Sequence, residues 1–403
     1  CVSVSWPLAS STWDSEELQA MQEVIDSGFF SMGKKTLEFE AEFAKWSGRK
    51  YAVMVNSGSS ANLIAASALR YVRDAEATTD DNGLLGEVIV PAVSWSTTYF
   101  PFHQNRYKLV FVDVDPNTYN IDTALVTDAI TSRTVGICGV NLLGNCANWS
   151  EIQRIAAENN LWTMEDNCES MGSSNKTGMS GTFGDASTFS FFYSHHICTM
   201  EGGMIVCDDE NLNIAMRSLR AHGWARDLPI DKDFLGEPRG SQWDENFRFY
   251  LPGFNVRPLE ISAAIGVKQL KKFDSILEGR RENARMLLEK LRGIETHWSL
   301  QTSDAGSSWF TFGFVNKHPT NGTLYRNRLI EILDQNGIQS RPIVAGDFTR
   351  NPVFKWLDVS TPTKLPGASV INDCGLMIGN HHFDLHEQII KLPSMLLESE
   401  SSS

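Results

Sequence analysis

Basic residues are scarce in this 403-residue sequence, and the shortage restricts what the protein binds. Lysine and arginine number 35 against 49 aspartates and glutamates, which gives a formal net charge of −14. Binding to nucleic acids and to anionic membranes depends on clustered cations. The composition therefore predicts no nucleic-acid partner and no membrane partner.

Long apolar runs and paired cysteines are also missing. No run of about 18 apolar residues occurs, so we expect no membrane-spanning helix. The first residues, CVSVSWPLASSTWD, lack a basic segment followed by an apolar one, and we expect no signal peptide there. The seven cysteines are scattered and form no C-x-x-C pair. This pattern favours reduced thiols in a cytoplasmic protein and predicts no metal site.

Between residues 51 and 207, short apolar runs alternate with helical patterns. This alternation favours a mainly parallel sheet covered by helices on both faces. The predicted strands are Tyr51–Val55, Glu87–Val90, Leu109–Val114, Val135–Val140, Leu161–Met164, Ser187–Phe192 and Gly203–Cys207.

The pattern changes near Leu259, where a long amphipathic helix begins. Shorter strands and helices follow it and predict a smaller α+β domain. We therefore predict a large α/β domain over residues 14–258, and a long helix with a small domain over residues 259–397. The polar residues 398–403 are predicted to be a disordered tail.

The carboxyl ends of parallel strands are where such sheets bind ligands, and the first of these ends carries Gly58 and Ser59. Gly58 permits a tight turn, and the serine hydroxyl with free N–H groups at a helix start can bind phosphate. A serine-capped helix after a glycine turn is the alternative interpretation.

Two other strand ends carry Trp95 and Asp166. An acid at the end of a buried strand needs a cationic partner. A protonated pyridine nitrogen is one such partner, while an arginine or a helix-capping role is the alternative. Trp95 is suited to stacking on a planar ring, and a core or interface role is its alternative.

A further strand end carries the adjacent residues His195 and His196, followed by Glu201-Gly-Gly. Metal binding is the alternative use of two histidines, but no third ligand lies at a suitable spacing. Neighbouring residues cannot share a strand face, so at most one of the two points into a site.

Together these segments resemble a known family. In order, SGSSAN, PAVSW, EDNCES, FSFFYSHHICTMEGG and GFNVRPLEISAAIG resemble the pyridoxal-phosphate sugar aminotransferases that modify nucleotide-linked keto-sugars. The resemblance extends from about Trp6 to Leu397. It implies an aspartate aminotransferase-like α/β fold of type I, with a large, mainly parallel seven-stranded sheet and a smaller α+β C-terminal domain.

The resemblance also implies roles around the cofactor. Asp166 matches the residue that pairs with the pyridinium nitrogen, Glu169 the one at the ring hydroxyl, and Trp95 the aromatic residue that stacks on the ring. The matched phosphate contacts are Gly58, Ser59 and Ser190.

Asn255 matches a phosphate ligand donated by the neighbouring subunit, so the resemblance implies a homodimer with shared sites. Ser194 is expected to orient the catalytic residue, and His196 is expected to be structural. The candidates for binding substrate or co-substrate are His222, Arg226 and Arg341.

In this family the fourth segment contains a lysine that forms the Schiff base, and His195 occupies that position. A histidine there marks the sugar 3-dehydratases of the family. The resemblance therefore implies pyridoxal or pyridoxamine phosphate held without a covalent bond, and His195 as acid and base. It further implies L-glutamate as amino donor and a GDP-linked 4-keto-6-deoxy sugar as substrate.

Three alternatives remain open. One is a sugar 4-aminotransferase, against which His195 argues. Another is a CDP-sugar 3-dehydratase, a branch that carries an iron–sulfur cluster on clustered cysteines, whereas here even the two nearest cysteines, Cys138 and Cys146, are eight residues apart. The third is a non-catalytic homologue.

Overall fold

The computed structural model describes residues 4–226, 228, 241–303 and 306–401. Its helices are α1 (Ser15–Ser27), α2 (Lys34–Ser47), α3 (Gly58–Val72), α4 (Ser96–Gln104), α5 (Thr123–Val126), α6 (Trp149–Glu158), α7 (Glu210–Arg220), α8 (Gln242–Glu245), α9 (Glu260–Leu291), α10 (Gly322–Gln335), α11 (Pro366–Cys374), α12 (His386–Ile389) and α13 (Leu392–Glu400). Its strands are β1 (Tyr51–Val55), β2 (Gly86–Pro91), β3 (Tyr107–Val112), β4 (Thr134–Val140), β5 (Trp162–Asp166), β6 (Ser174–Asn175), β7 (Gly178–Met179), β8 (Ala186–Ser190), β9 (Gly203–Cys207), β10 (Trp298–Leu300), β11 (Thr311–Asn316), β12 (Ser340–Arg341), β13 (Val359–Ser360) and β14 (Gly375–Gly379).

The main sheet has the strand order β1-β9-β8-β5-β4-β2-β3-β13. Only β9 runs against its neighbours, β1 and β8, and the remaining pairs are parallel. The predicted mainly parallel α/β sheet is confirmed, with a correction from seven strands to eight. The extra strand, β13, pairs only two residues with β3 and is too short to show a periodic pattern in the sequence.

Hydrophobic packing covers both faces of this sheet. In β1, Val53 and Val55 join a cluster with α3, α4 and α7, whereas Ala52 and Met54 join a cluster with α2 and α9. Successive residues of a strand point to opposite faces, so a buried strand must be apolar throughout. This is why the strands were recognisable as continuous apolar runs.

A second, antiparallel sheet has the order β10-β11-β14-β12. The N-terminal segment packs against it, since buried Trp6 pairs with Ile338 and its indole donates to the Gly379 carbonyl at 2.9 Å. One hydrophobic cluster joins side chains from both halves of the chain, including Val53 and Met377. The domain boundary at residue 259 therefore stays a prediction.

The predicted disordered tail requires correction, because α13 continues to Glu400. Ser399 accepts a hydrogen bond from the Trp298 indole at 2.9 Å, and the Glu400 carboxylate accepts one from Asn316 at 2.9 Å. These partners hold a polar sequence in a helix, a contact that composition alone does not reveal. Residues 402–403 lie outside the described part of the chain.

Among the helices of the described residues, none combines the length and apolar character that crossing a bilayer requires.

Candidate active site

A cavity of about 340 Å³ opens at the carboxyl ends of the central strands, between the first turns of α3 and α4. Nine of the twelve site residues predicted from the sequence line it. They are Gly58, Ser59, Trp95, Asp166, Glu169, Ser190, Ser194, His195 and Arg341.

The Asp166 carboxylate lies at the end of β5 and is 5% exposed. Its Oδ2 accepts hydrogen bonds from Asn62 Nδ2 at 2.8 Å and Thr98 Oγ1 at 2.7 Å, and its Oδ1 accepts one from the Cys168 N–H at 3.2 Å. Within the described ranges, no lysine or arginine forms an ion pair with it. The arginine alternative therefore lacks support, and the carboxylate can accept a further N–H from the cavity.

Neither Asn62 nor Thr98 was predicted from the sequence to be a site residue. Asn62 lies four residues after Gly58, on the same face of α3, and this spacing was the available signal. Thr98 lies in α4, a helix that contains Pro101 and was not predicted. Proline has no N–H to donate to the hydrogen bonds of a helix, so a proline inside a segment argues against predicting a helix there.

The start of α3 fits against the end of β8 at Gly58. A Cβ atom added to Gly58 would lie 2.4 Å from the Cβ of Ser190, so only glycine permits this approach. Ser57 caps the helix by accepting the Ser60 N–H at 3.0 Å, and Ser59 contacts the Thr97 hydroxyl at 3.0 Å. Hydroxyl groups and free N–H groups thus lie close together at the start of α3, which is an arrangement that can bind an anion.

Trp95 immediately precedes α4 and lines the cavity. Its side chain is 53% exposed, which excludes a core role. A large indole with a free face beside Asp166 is suited to stack on a planar ring whose nitrogen meets the carboxylate.

His195 follows β8 in a turn, and its ring lines the cavity. The ring lies 5.1 Å from that of Phe310, and Nδ1 lies 3.4 Å from the Ser194 hydroxyl. Burial, and then the positive charges of Arg280 and Arg341, lower the pKa of His195 to about 3. The imidazole is therefore neutral at neutral pH and can accept a proton.

His196 points the other way. Its side chain is buried, and Nε2 contacts the carbonyl oxygen of Ser308 at 3.0 Å. As the sequence predicts, only one of the two histidines faces the cavity, and His196 has a structural role.

Glu169 lines the same cavity and is partly buried. Burial is the main cause that raises the pKa of Glu169 to about 7, and the Asp166 charge adds to it. Arg341 and the Leu143 N–H, which donates to Glu169 at 3.2 Å, act in the opposite direction. This carboxyl group can therefore exist in both protonation states near neutral pH.

The three remaining predicted residues, His222, Arg226 and Asn255, do not line the cavity. His222 and Asn255 lie close together, since Ala221 forms a β-bridge with Asn255 and the His222 N–H donates to the Phe254 carbonyl at 2.6 Å. Arg226 is exposed, and its guanidinium lies over the Trp224 ring. Asn255 is exposed. The position of Asn255 outside the cavity of its own chain is compatible with a phosphate contact to a neighbouring subunit. A single chain does not test that contact, so this role of Asn255 stays a prediction.

Comparison with known proteins identifies the family. The family model described as the DegT/DnrJ/EryC1/StrS aminotransferase family matches residues 11–390. The chain belongs to the DegT/DnrJ/EryC1/StrS aminotransferase family. GDP-4-keto-6-deoxy-D-mannose 3-dehydratase of Escherichia coli O55:H7 is 44% identical over 98% of this chain and 100% of its own.

Two solved structures are also similar to this chain of the DegT/DnrJ/EryC1/StrS family. Each is 44% identical to it, and each match covers 97% of this chain and 100% of the chain in the solved structure. One is a GDP-4-keto-6-deoxymannose-3-dehydratase with a trapped PLP–glutamate geminal diamine, at a TM-score of 0.92. The other is a histidine-to-asparagine variant of that enzyme with bound GDP-perosamine, at a TM-score of 0.91.

Pyridoxal phosphate is the cofactor that these comparisons suggest, and the cavity fits it. Asp166 can accept the ring N–H, and Trp95 offers a ring-stacking face. The approach at Gly58, which a Cβ atom would close, leaves the start of α3 open to a phosphate group.

The ionisation of Glu169 provides a test of this electrostatic arrangement. We expect its carboxyl group to titrate near pH 7 in the ligand-free protein, as measured by ¹³C NMR of glutamate-labelled chain with Glu169→Gln to identify the signal. Because Arg341 lowers this pKa, Arg341→Met should raise it further.

Arg154→Met, which removes an exposed charge on α6, is the matched control and should leave the titration of Glu169 unchanged. A Glu169 midpoint at the ordinary carboxylate value, or one that falls in Arg341→Met, would contradict the arrangement.

Proposed function

We propose that this protein is a pyridoxal-phosphate-dependent 3-dehydratase of a nucleotide-linked 4-keto-6-deoxyhexose. The proposed reaction converts GDP-4-keto-6-deoxy-D-mannose to its 3-deoxy product, with L-glutamate as amino donor and 2-oxoglutarate and ammonia as co-products. A single observation carries the proposal: His195, which the sequence resemblance assigns to the lysine position of the family, lines a cavity that otherwise fits the cofactor. The identity with dehydratases across nearly the whole chain supports it.

The cofactor would be held by several groups without a covalent bond. Asp166 would accept the pyridine N–H, Trp95 would stack on the ring, and Glu169 would meet the ring hydroxyl. The start of α3, with Ser59 and Ser190, would hold the phosphate. When bound, the cofactor supplies an electron sink and carries the amino group to the sugar ketone.

His195 would move the protons. An imidazole cannot form the covalent bond with the cofactor aldehyde that a lysine forms, so the cofactor stays free to exist in its amine form. Because Nδ1 faces Ser194, Nε2 is the atom available to the cavity. A neutral Nε2 would accept a proton as base and then donate it to the departing C3 hydroxyl, which leaves as water.

Ser194 would orient the ring through Nδ1. The Arg341 guanidinium, which lines the cavity, is suited to a carboxylate of glutamate because its planar fork binds carboxylates in a bidentate manner. The GDP assignment rests on the relatives, whose names include a GDP-sugar substrate and bound GDP-perosamine.

A homodimer with shared sites is part of the proposal. The exposed position of Asn255, outside the cavity of its own chain, supports it, and His222 and Arg226 would accompany Asn255 to the partner's substrate. The cytoplasmic location expected from the scattered cysteines stays a prediction.

Turnover of defined sugars tests the function. The purified protein would be incubated with glutamate and either GDP- or CDP-linked 4-keto-6-deoxy sugars, and ammonia and product mass would be measured. A GDP-sugar product lighter by one oxygen atom, with ammonia released, supports the proposal. An amino-sugar product indicates a 4-aminotransferase, a preference for the CDP-sugar indicates the other dehydratase, and no turnover indicates a non-catalytic homologue.

Substitution of the proposed base should change the chemistry. In His195→Lys, the new amine lies within reach of the cofactor aldehyde, so the protein should turn yellow and retain the cofactor covalently after borohydride reduction. Dehydration should fall by about 10²-fold or more, the usual contribution of a positioned acid–base residue. The visible spectrum, peptide mass and product mass measure these effects.

The wild-type protein under the same borohydride treatment is the control, and it should carry no cofactor adduct on any lysine. A His195→Lys protein that stays colourless with added pyridoxal phosphate, yet dehydrates at the original rate, would show that His195 is not the base.

Shared sites predict complementation between two inactive variants. Asn255→Ala and His195→Asn, mixed in equal amounts, should recover about a quarter of wild-type activity, because half of randomly formed dimers have one intact site. A double variant carrying both changes in one chain is the control and should recover none. If subunit exchange is demonstrated and no activity returns, the shared-site arrangement is wrong.

A further inference from the structure

Residues 307–310 form a short segment beside the cavity whose four carbonyl oxygens are each contacted by a side chain at 2.8–3.1 Å. The contacts join Arg281 to Ser307, His196 to Ser308, Asn380 to Trp309, and Arg280 to Phe310. Trp309 has a φ of 46°, a conformation that surrounding contacts must hold in place. The position of this segment thus depends on side chains from other parts of the chain.

Phe310 extends the effect of this segment into the cavity. Its ring lies 5.1 Å from the His195 ring and 5.7 Å from the His196 ring, and it lines the cavity. Among the described residues, Phe192 also contacts the His195 ring, at 6.2 Å. A shift of Phe310 would therefore remove an aromatic contact that limits the orientation of the imidazole.

Arg280, in α9, anchors Phe310 and is itself unusual. It is 3% exposed, and its Nη1 donates to the carbonyl oxygens of Phe310 and Asn380, both at 2.8 Å. Across the described part of the chain, Arg280 Nε has no hydrogen-bond partner and no carboxylate pairs with the guanidinium. By contrast, the equally buried Arg220 pairs with Glu40 at 2.6 Å.

A buried cation without a counter-ion destabilises a fold unless other interactions offset it. Hydrogen bonds to two carbonyl groups anchor the segment, but neutral donors could make them as well. The uncompensated charge therefore needs a separate explanation. It lowers the pKa of four histidines, His195, His196, His381 and His382, and of these four only His195 lines the cavity.

We propose that Arg280 is a positioning residue for the reaction, which fixes Phe310 against His195 and places an uncompensated positive charge behind the imidazole. This inference rests on the proposed role of His195. The charge disfavours a second positive charge on the ring, and together with burial it lowers the pKa of His195. Arg280 would thereby keep the base ready to accept a proton over a wide pH range.

Other charged groups face His195 as well, and the test must separate them from Arg280. Arg341 acts in the same direction as Arg280 on the pKa of His195, whereas carboxylates in the cavity favour the protonated ring. Among the described residues, the titratable and charged groups that line the cavity or act on the two histidines are Asp166, Cys168, Glu169, His196, Glu201, Arg280, Arg281 and Arg341.

Two variants separate the charge of Arg280 from its hydrogen bonds. Arg280→Met removes both, and Arg280→Lys keeps the charge but loses the guanidinium fork. The readouts are the pH dependence of kcat/KM and the titration of His195 in the holoenzyme without substrate. The titration is followed by ¹³C NMR of histidine-labelled protein, with His195→Asn to identify the signal.

Because the pKa of His195 is lowered to about 3, we expect the wild-type imidazole to stay neutral throughout the mildly acidic range. In Arg280→Met, its midpoint and the acid limb of kcat/KM should both rise by about one pH unit or more, because a nearby positive charge has been removed. In Arg280→Lys, both should stay near the wild-type values. In each variant kcat should fall about ten-fold with little change in KM, since Phe310 loses its anchor.

Leu329→Ala, which destabilises the core beside the second sheet, controls for lost stability and should leave the His195 titration unchanged.

If neither Arg280 variant folds, the Phe310→Leu variant tests the proposal instead. A lower kcat with an unshifted His195 midpoint supports the proposal, and an unchanged kcat overturns it. An Arg280→Met protein with wild-type titration and kcat also overturns it. The NMR titration needs no turnover, so a failure of the proposed function is seen separately, as a wild-type protein without activity on the sugar.

Discussion

The buried carboxylate of Asp166 is the group on which the rest of the site depends. It ends the central strand β5, and a buried charge without partners destabilises a protein by several kcal/mol. Asn62 from α3 and Thr98 from α4 supply the hydrogen bonds that it needs. The first turn of α3 also carries Ser59, and Trp95 immediately precedes α4. The requirement to satisfy one carboxylate therefore also fixes the groups proposed to bind phosphate and to stack on the cofactor ring.

Burial shifts the pKa values of two groups in the cavity in opposite directions. Burial lowers the pKa of His195, because the protonated imidazole is charged, and raises that of Glu169, because the ionised carboxylate is charged. Arg341 adds to the first shift and opposes the second. The same cavity is thus lined by a neutral imidazole and by a carboxyl group that changes protonation state near neutral pH.

Several elements show how far the sequence predicts the fold. Strands such as β1 and β4 were predicted because both of their faces are buried, which requires continuous apolar runs. Helix α4 was missed because Pro101 argues against a helix, and β13 was missed because two residues carry no period. The end of α13 was predicted to be disordered from its polar composition, but its contacts with Trp298 and Asn316 hold it in a helix. These misses all depend on tertiary contacts.

The sequence by itself determined the family and the order of the strand ends, because these are local patterns of neighbouring residues, and such a pattern also carries the prediction that a histidine stands where the family has a lysine. The tertiary structure decided which groups satisfy Asp166, whose partners Asn62 and Thr98 are 104 and 68 residues away. It also decided that the Phe310 ring lies beside His195 and that Arg280 holds the Phe310 carbonyl. Such contacts depend on how helices and strands cross, and no local pattern encodes that crossing, since hydrogen bonds and packing form between residues far apart in the chain.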